Sequence, residues 1–121
     1  MTTHTRIFEA VLGSFITCVK IVDKMIIACG LQSLQILDLA NGTELHNFEF
    51  ADQCRNFDLN RDKTLLAAGG ISGLTIWDFS NRRKLKDIRT PSGVRDLRFN
   101  ESGTKLVVGE YSGQISKIEL Y

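Results

Sequence analysis

The chain has 121 residues, 43% of them hydrophobic and 24% charged, an ordinary composition for one soluble globular domain. Fifteen basic and fourteen acidic side chains leave a net charge of +1, which argues against nucleic acid as a partner, because counterion release needs a basic surface. No apolar run reaches the roughly 18–20 residues of a membrane span, and Met1-Thr-Thr-His-Thr-Arg6 lacks the basic and apolar regions of a secretory signal.

The cysteines fit the intracellular compartment, cytoplasmic or nuclear, that this implies. Cys18, Cys29 and Cys54 are odd in number, each sits in an apolar stretch, and none forms a Cys-x-x-Cys pair. His4 and His46 are remote from them in sequence, whereas a tetrahedral zinc site needs four clustered ligands. Reduced core thiols behaving as small hydrophobes are expected, with no metal and no cofactor.

In chain order, Thr5-Arg-Ile-Phe-Glu-Ala-Val-Leu12 is strand-like and stands alone. Three matching units follow. Each opens on an apolar strand, Ile16–Ile21, Cys54–Leu59 or Val94–Phe99, and passes through a polar turn at 22–24, 60–63 or 100–103. A second apolar run then ends on glycine: Met25–Gly30, Leu65–Gly69 or Leu106–Gly109. A serine turn comes next, at Ser33, Ser72-Gly73 or Ser112-Gly113, and a third strand ends on Leu37-Asp38, Trp77-Asp78 or Ile118-Glu119. These terminal pairs are 40 and 41 residues apart.

Short runs rich in Ile, Val, Leu and Phe, bounded by Gly, Asn, Asp and Ser, predict β-strands rather than helices. Asn41-Gly42 predicts a tight turn of type I′, in which both central residues take positive φ. Pro91 falls between units two and three, where no ladder hydrogen bond must be donated. The chain is therefore predicted to be all-β, each unit an antiparallel meander of strands a, b and c. Thr43–Phe50 and Lys84–Arg89 supply an outer strand d to units one and two, and unit three has none.

Units of this length and order, ending in Trp77-Asp78 and its weakened forms Leu37-Asp38 and Ile118-Glu119, resemble the WD-repeat β-propeller over residues 14–121. Val94 to Gly103 fits the family's strand a followed by a Ser-Pro-Asp-Gly-like turn. The Gly-His that usually precedes strand a is absent, and serine replaces the usual aspartate of the b-to-c turn. The buried Asp-His-Ser-Trp network of typical members therefore cannot form. The resemblance implies a β-propeller half of three four-stranded antiparallel blades: residues 5–12 a leading outer strand, 14–50 the first blade, 52–90 the second and 92–121 the third.

Three blades do not close a ring, since propellers have about four to eight. An open arc exposes apolar faces and sheet edges. Three arrangements would cover them: a head-to-tail homodimer forming a six-bladed ring, a hetero-oligomer in which a different chain supplies the other blades, or a longer protein of which this is a fragment. Closure by association is the expectation, the homodimer first, because the strand count is self-complementary. Ile7, Phe8 and Val11 of one chain would then meet Ile118 and Leu120 of another.

Little in the sequence points to catalysis. There is no Gly-x-Ser-x-Gly elbow, and Ser102-Gly-Thr-Lys105 lacks the Gly-Lys-Ser/Thr core of a phosphate loop and reads as a hairpin turn. Asp38, Asp78 and Glu119 recur once per unit and read as strand ends. The sequons at Asn41 and Asn100 read as turns. Arg82-Arg-Lys-Leu-Lys86 with Arg89 could contact phosphate or direct nuclear import, but a charge-defended edge strand explains it better. Leu31, Ile71 and Tyr111 recur every 40 residues in the b-to-c turns, and Arg55 and Arg95, with Thr17 as third member, open strand a. Apolar and aromatic side chains beside arginines suggest a surface for protein or peptide partners. The same pattern also fits side chains that pack over the strand ends. A non-catalytic interaction scaffold is the first expectation, and a blade-donating structural subunit of a larger complex is the alternative.

Overall fold

The computed structural model describes residues 15–120 of the chain, apart from the side chains of residues 32, 51 and 52. The described residues are all-β, 65% of them in strands and none in a helix. No helix there is long and apolar enough to cross a membrane, which leaves β-barrel membrane proteins unaddressed. The calls on Thr5–Leu12, including Ile7, Phe8 and Val11, lie outside the described residues.

Ten strands form three antiparallel sheets in chain order. The first holds β1 (Ile16–Val22), β2 (Met25–Asp38) and β3 (Glu44–Gln53). The second holds β4 (Asn56–Leu59), β5 (Leu65–Gly69), β6 (Gly73–Asp78) and β7 (Arg83–Arg89). The third holds β8 (Val94–Phe99), β9 (Lys105–Glu110) and β10 (Ile115–Glu119), in the order β10-β9-β8. The described residues do not form a closed ring.

The 14-residue β2 was expected to be two strands with a serine turn between them. The strand runs through that turn with a register shift between Leu31 and Ser33, yet β2 cannot be straight. Fourteen extended residues span about 45 Å, whereas Leu39 N donates to Lys24 O at 2.9 Å across its two ends. The segment doubles back, its first arm paired with β1 and its second with β3. The same bond recurs in the other sheets, from Phe79 N to Thr64 O at 2.8 Å and from Leu120 N to Thr104 O at 2.9 Å.

Asn41-Gly42 does not make the expected type I′ turn. Only Gly42 has positive φ (77°), and the loop is wider: Asp38 N donates to Thr43 O, Gly42 N to Asp38 O, and Thr43 N to Asn41 Oδ1. The second sheet repeats the design forty residues on, with Arg82 at φ 57° in place of Gly42. Arginine is strained there, and its guanidinium offsets part of the cost by donating to Phe79 O at 2.6 Å and lying 4.5 Å over the Phe79 ring.

Two cores hold the sheets together. Between the first and second lie Ile27, Cys29, Leu34, Ile36, Phe48 and Phe50 against Cys54, Phe57, Leu66, Ala68, Trp77 and Phe79. Between the second and third lie Ala67, Leu74 and Ile76 against Val94, Leu97, Leu106 and Val108. The second sheet is thus buried on both faces, which is why β5 and β6 read as nearly unbroken apolar runs. Trp77 anchors the first core, with ring centroids 5.3 Å from Phe48 and 5.7 Å from Phe50. The opening strands β1, β4 and β8 lie side by side, so the sheets meet along one line.

Candidate functional site

At one end of the sheets the connections β5–β6, β7–β8 and β9–β10 crowd together. Val94 N donates to Gly70 O at 2.8 Å and Tyr111 N to Gly93 O at 2.9 Å, which ties the segment before β8 to both neighbouring turns. Gly93 is closely surrounded, so a side chain there would press on its neighbours. An added Cβ would lie 3.0 Å from Tyr111 Cδ2 and 3.3 Å from Ile71 Cα. Ile71 and Tyr111 therefore flank one buried glycine, and both remain about half exposed, at 49% and 52%.

Arg95 joins them. Its guanidinium lies 5.8 Å from the Tyr111 ring centroid, within cation–π range. The stack needs β8 and β9 to be adjacent, because Arg95 follows Val94, and Val94 pairs with Glu110. Arg55, one repeat earlier, bonds through its main-chain N to Gly69 O at 2.7 Å. Its counterpart turn carries Ile71 in place of a tyrosine. Arg55 instead donates to Gln53 Oε1 at 3.0 Å, and its Nε is buried with no hydrogen bond. Leu31, half-buried, is the register partner of Gln53. The five residues thus form two groups, Ile71–Tyr111–Arg95 and Leu31–Arg55, the second linked through Gln53.

Thr17, the third member of the arginine position, works as a latch. Its hydroxyl donates to Cys54 O at 2.6 Å, joining the first sheet to the chain entering the second.

Sequence reasoning missed the support beneath Tyr111. Glu110 is 5% exposed, and its Oε1 accepts Ser92 N at 2.9 Å and Ser92 Oγ at 3.2 Å. Ser112 Oγ lies 3.0 Å from Ser92 Oγ. Glu110 Oε2 is buried without a partner. The available signal was Gly30, Gly70 and Glu110 at forty-residue intervals, where one carboxylate replaces two glycines.

Ile118 and Leu120 turn their side chains inward, onto the core between the second and third sheets. Ile118 and Leu120, two of the residues named for chain-to-chain closure, thus pack against this chain's own core, and β10 leaves its main-chain edge free among the described residues. The basic run forms β7, the outer strand of the second sheet. Beside it a groove of about 480 Å³ separates Glu49 and Phe50 of β3 from Lys84, Asp87 and Arg89. Asp87 is held below the ordinary aspartate range by Lys84, at 2.9 Å, and by the Thr75 hydroxyl, at 2.6 Å.

No family model and no curated protein matches the chain.

Proposed function

We propose that this chain is a non-catalytic protein-interaction module, built as part of a divergent WD-repeat-like propeller, that receives a protein or peptide partner on the surface formed by Ile71, Tyr111 and Arg95. One observation carries the reading. An exposed aromatic ring, an exposed aliphatic side chain and a guanidinium converge around a buried glycine that a Cβ would crowd. Aromatic and arginine side chains on rigid supports are what binding hot spots are made of. Such a surface suits a peptide that offers an apolar side chain next to a carboxylate.

The test is selection of binders from a displayed peptide library, followed by titration against Tyr111→Ala and Arg95→Ala. Loss of tenfold or more in affinity, with unchanged thermal midpoints, supports the assignment. Peptides that bind the variants as well as the parent would move the binding surface elsewhere.

A second reading, a subunit completed by sheets from another chain in a homodimer or hetero-oligomer, has its own support. Ile16, Val19 and Ile21 of β1 are 45%, 56% and 67% exposed. Their repeat counterparts, Cys54 just before β4, Phe57 and Leu59 in β4, and Val94, Leu97 and Phe99 in β8, all pack in or against the inter-sheet cores. The first sheet thus carries an apolar strand of the kind used elsewhere to join sheets. The opposite, free side of the third sheet has Lys105 and Lys117 where the second sheet has Leu65 and Ile76. Sedimentation of the parent and of Val19→Glu tests this reading. An associated parent dissociated by the glutamate supports the homodimer, and a parent that stays monomeric at all concentrations rejects it.

A further inference from the structure

Three cysteines from separate strands converge where the first sheet meets the second. Cys18 of β1 and Cys29 of β2 are directly opposed register partners. Directly opposed side chains leave the same sheet face with Cβ atoms about 4.5–5.5 Å apart, and both belong to the core facing the second sheet. Cys54 arrives just before β4, its N donating to Gly30 O at 3.1 Å. The Thr17 hydroxyl reaches all of this. It lies 2.6 Å from Cys54 O and 3.2 Å from both the carbonyl and the Sγ of Cys29.

The repeat shows how tight the junction is. Cys29 and Cys54 correspond to Gly69 and Val94 at the next joint, where a Cβ built on Gly69 would fall 2.7 Å from Val94 Cβ.

The thiols are not equivalent. Cys18 is half-buried, whereas Cys29 and Cys54 are 0% exposed. Hydrogen bonding between the Cys29 and Cys54 thiols lowers the pKa of Cys29 and raises that of Cys54, and Thr17 helps to lower Cys29. Burial raises Cys18, whose Sγ donates to Asn56 Oδ1 at 3.3 Å. Among the described residues no three His, Cys, Asp or Glu side chains are arranged to hold a metal ion.

We infer that Cys18 and Cys29 form an oxidation site for a small peroxide, in which Cys18 meets the oxidant and Cys29 closes a disulfide. The Cys18 thiol gives up its proton as its sulfur attacks one peroxide oxygen; the S–O bond forms, the O–O bond breaks, and the departing hydroxide takes that proton, giving a sulfenic acid on Cys18 and one water. The Cys29 sulfur then attacks the Cys18 sulfur. The S–S bond forms, the S–O bond breaks, and the departing hydroxide takes the proton Cys29 releases to become the second water. Two thiols have lost two electrons and two protons, and hydrogen peroxide has become two waters. Cross-strand closure asks only about an ångström of approach between Cβ atoms, since disulfides hold them near 3.8 Å. Cys54, behind Cys29, stays a thiol.

The test treats the reduced, folded chain with hydrogen peroxide, alkylates the remaining thiols, and maps the peptides by mass spectrometry. The expected product is a Cys18–Cys29 bond, with Cys54 alkylated only after unfolding. Cys18→Ser, at a half-exposed position, should slow thiol loss at least tenfold. Cys29→Ser should drive Cys18 to sulfinic acid instead of a disulfide, and Cys54→Ser should leave the bond forming. Retention of all three thiols under excess peroxide, or a first bond made to Cys54, would overturn the assignment.

Discussion

Lys20 donates from Nζ to the carbonyl of Phe57 at 2.6 Å, and the same ammonium stands 4.9 Å from the centre of the Phe57 ring. A single cation from β1 thus grips both the main chain and the side chain of β4, with Asp58 3.8 Å away as a weaker third partner. Lys63 makes a more obvious contact, 2.7 Å from Asp23 Oδ1, but its side chain is 44% exposed and its partner's 59%. Exposed pairs contribute about 0–1 kcal/mol, whereas a charged donor to a shielded carbonyl with a ring beneath it contributes more. Lys20→Ala should therefore lower stability by about 1–2 kcal/mol and Lys63→Ala by under about 0.5 kcal/mol. Urea unfolding of the two variants checks the ranking, and equal losses would contradict it.

Gly69 and Gly109 occupy the same position in consecutive sheets and should respond oppositely to alanine. At Gly69 a new Cβ would sit 2.4 Å from Val94 Cγ1 and 2.8 Å from Leu97 Cδ2, inside the packed joint between the second and third sheets. At Gly109 the nearest atom is 3.9 Å away. Overpacking costs about 1–3 kcal/mol, and removing glycine from a strand recovers about 0.5–1 kcal/mol. Gly69→Ala should be destabilising, partly rescued by Val94→Ala, and Gly109→Ala neutral or mildly stabilising. Thermal midpoints decide it. Should the chain associate through the open side of its third sheet, Gly109→Ala would weaken the association and spare the monomer's fold.

How much of this was legible from the chain alone depends on distance along it. The strands are local, so Leu65–Gly69 and Gly73–Asp78 could be read from their residue types, and the forty-residue spacing ordered them into three units. The joints between sheets are another matter. Lys20 with Phe57, Asn56 with Asp96, and Asp58 with the amide of Phe99 pair residues 37 to 41 apart. Nothing in the residue types says that a lysine will point along the stack and not into water. The cysteine junction did leave a trace: Cys18 and Cys29 are equidistant from the Asp23-Lys24 turn, so any hairpin centred there must oppose them. The Asn41-Gly42 turn misled because the dipeptide is common to several turns, and the loop's width is set by Asp38 and Thr43 pairing outside it.

Asn60 shows how a single amide can set a turn. It is 6% exposed, its Oδ1 accepts the main-chain N of both Thr64 and Leu65 at 2.9 Å, and its Nδ2 donates to Thr64 Oγ1 at 2.9 Å. Removing it leaves two main-chain donors without their acceptor, a loss of about 2–3 kcal/mol. Asn60→Asp keeps that acceptor and should retain roughly half or more of the lost stability. Chemical denaturation of Asn60→Ala and Asn60→Asp compares them. Equal destabilisation would show that the amide's donor, not its acceptor, holds the turn.

Acid should loosen the ends of the second sheet before its core. Asp78 is held below its ordinary value of 3.8 chiefly by the Asn81 side-chain amide, at 2.7 Å, then by the Asn81 main-chain N, and Asp87 chiefly by Lys84 and then Thr75. A carboxylate with a folded pKa below its unfolded one binds protons more readily in the unfolded chain. Its stabilisation is complete above the unfolded value, near pH 4, and disappears as pH falls through the lower folded value. The stabilising effect of both groups is thus present at neutral pH and lost only below about pH 4. Asp78→Asn and Asp87→Asn should each lower stability slightly at pH 7 and flatten its decline between pH 4 and 2. Denaturant midpoints across that range give the slopes, and variants whose acid slopes match the parent's would mean that these carboxylates carry none of the dependence.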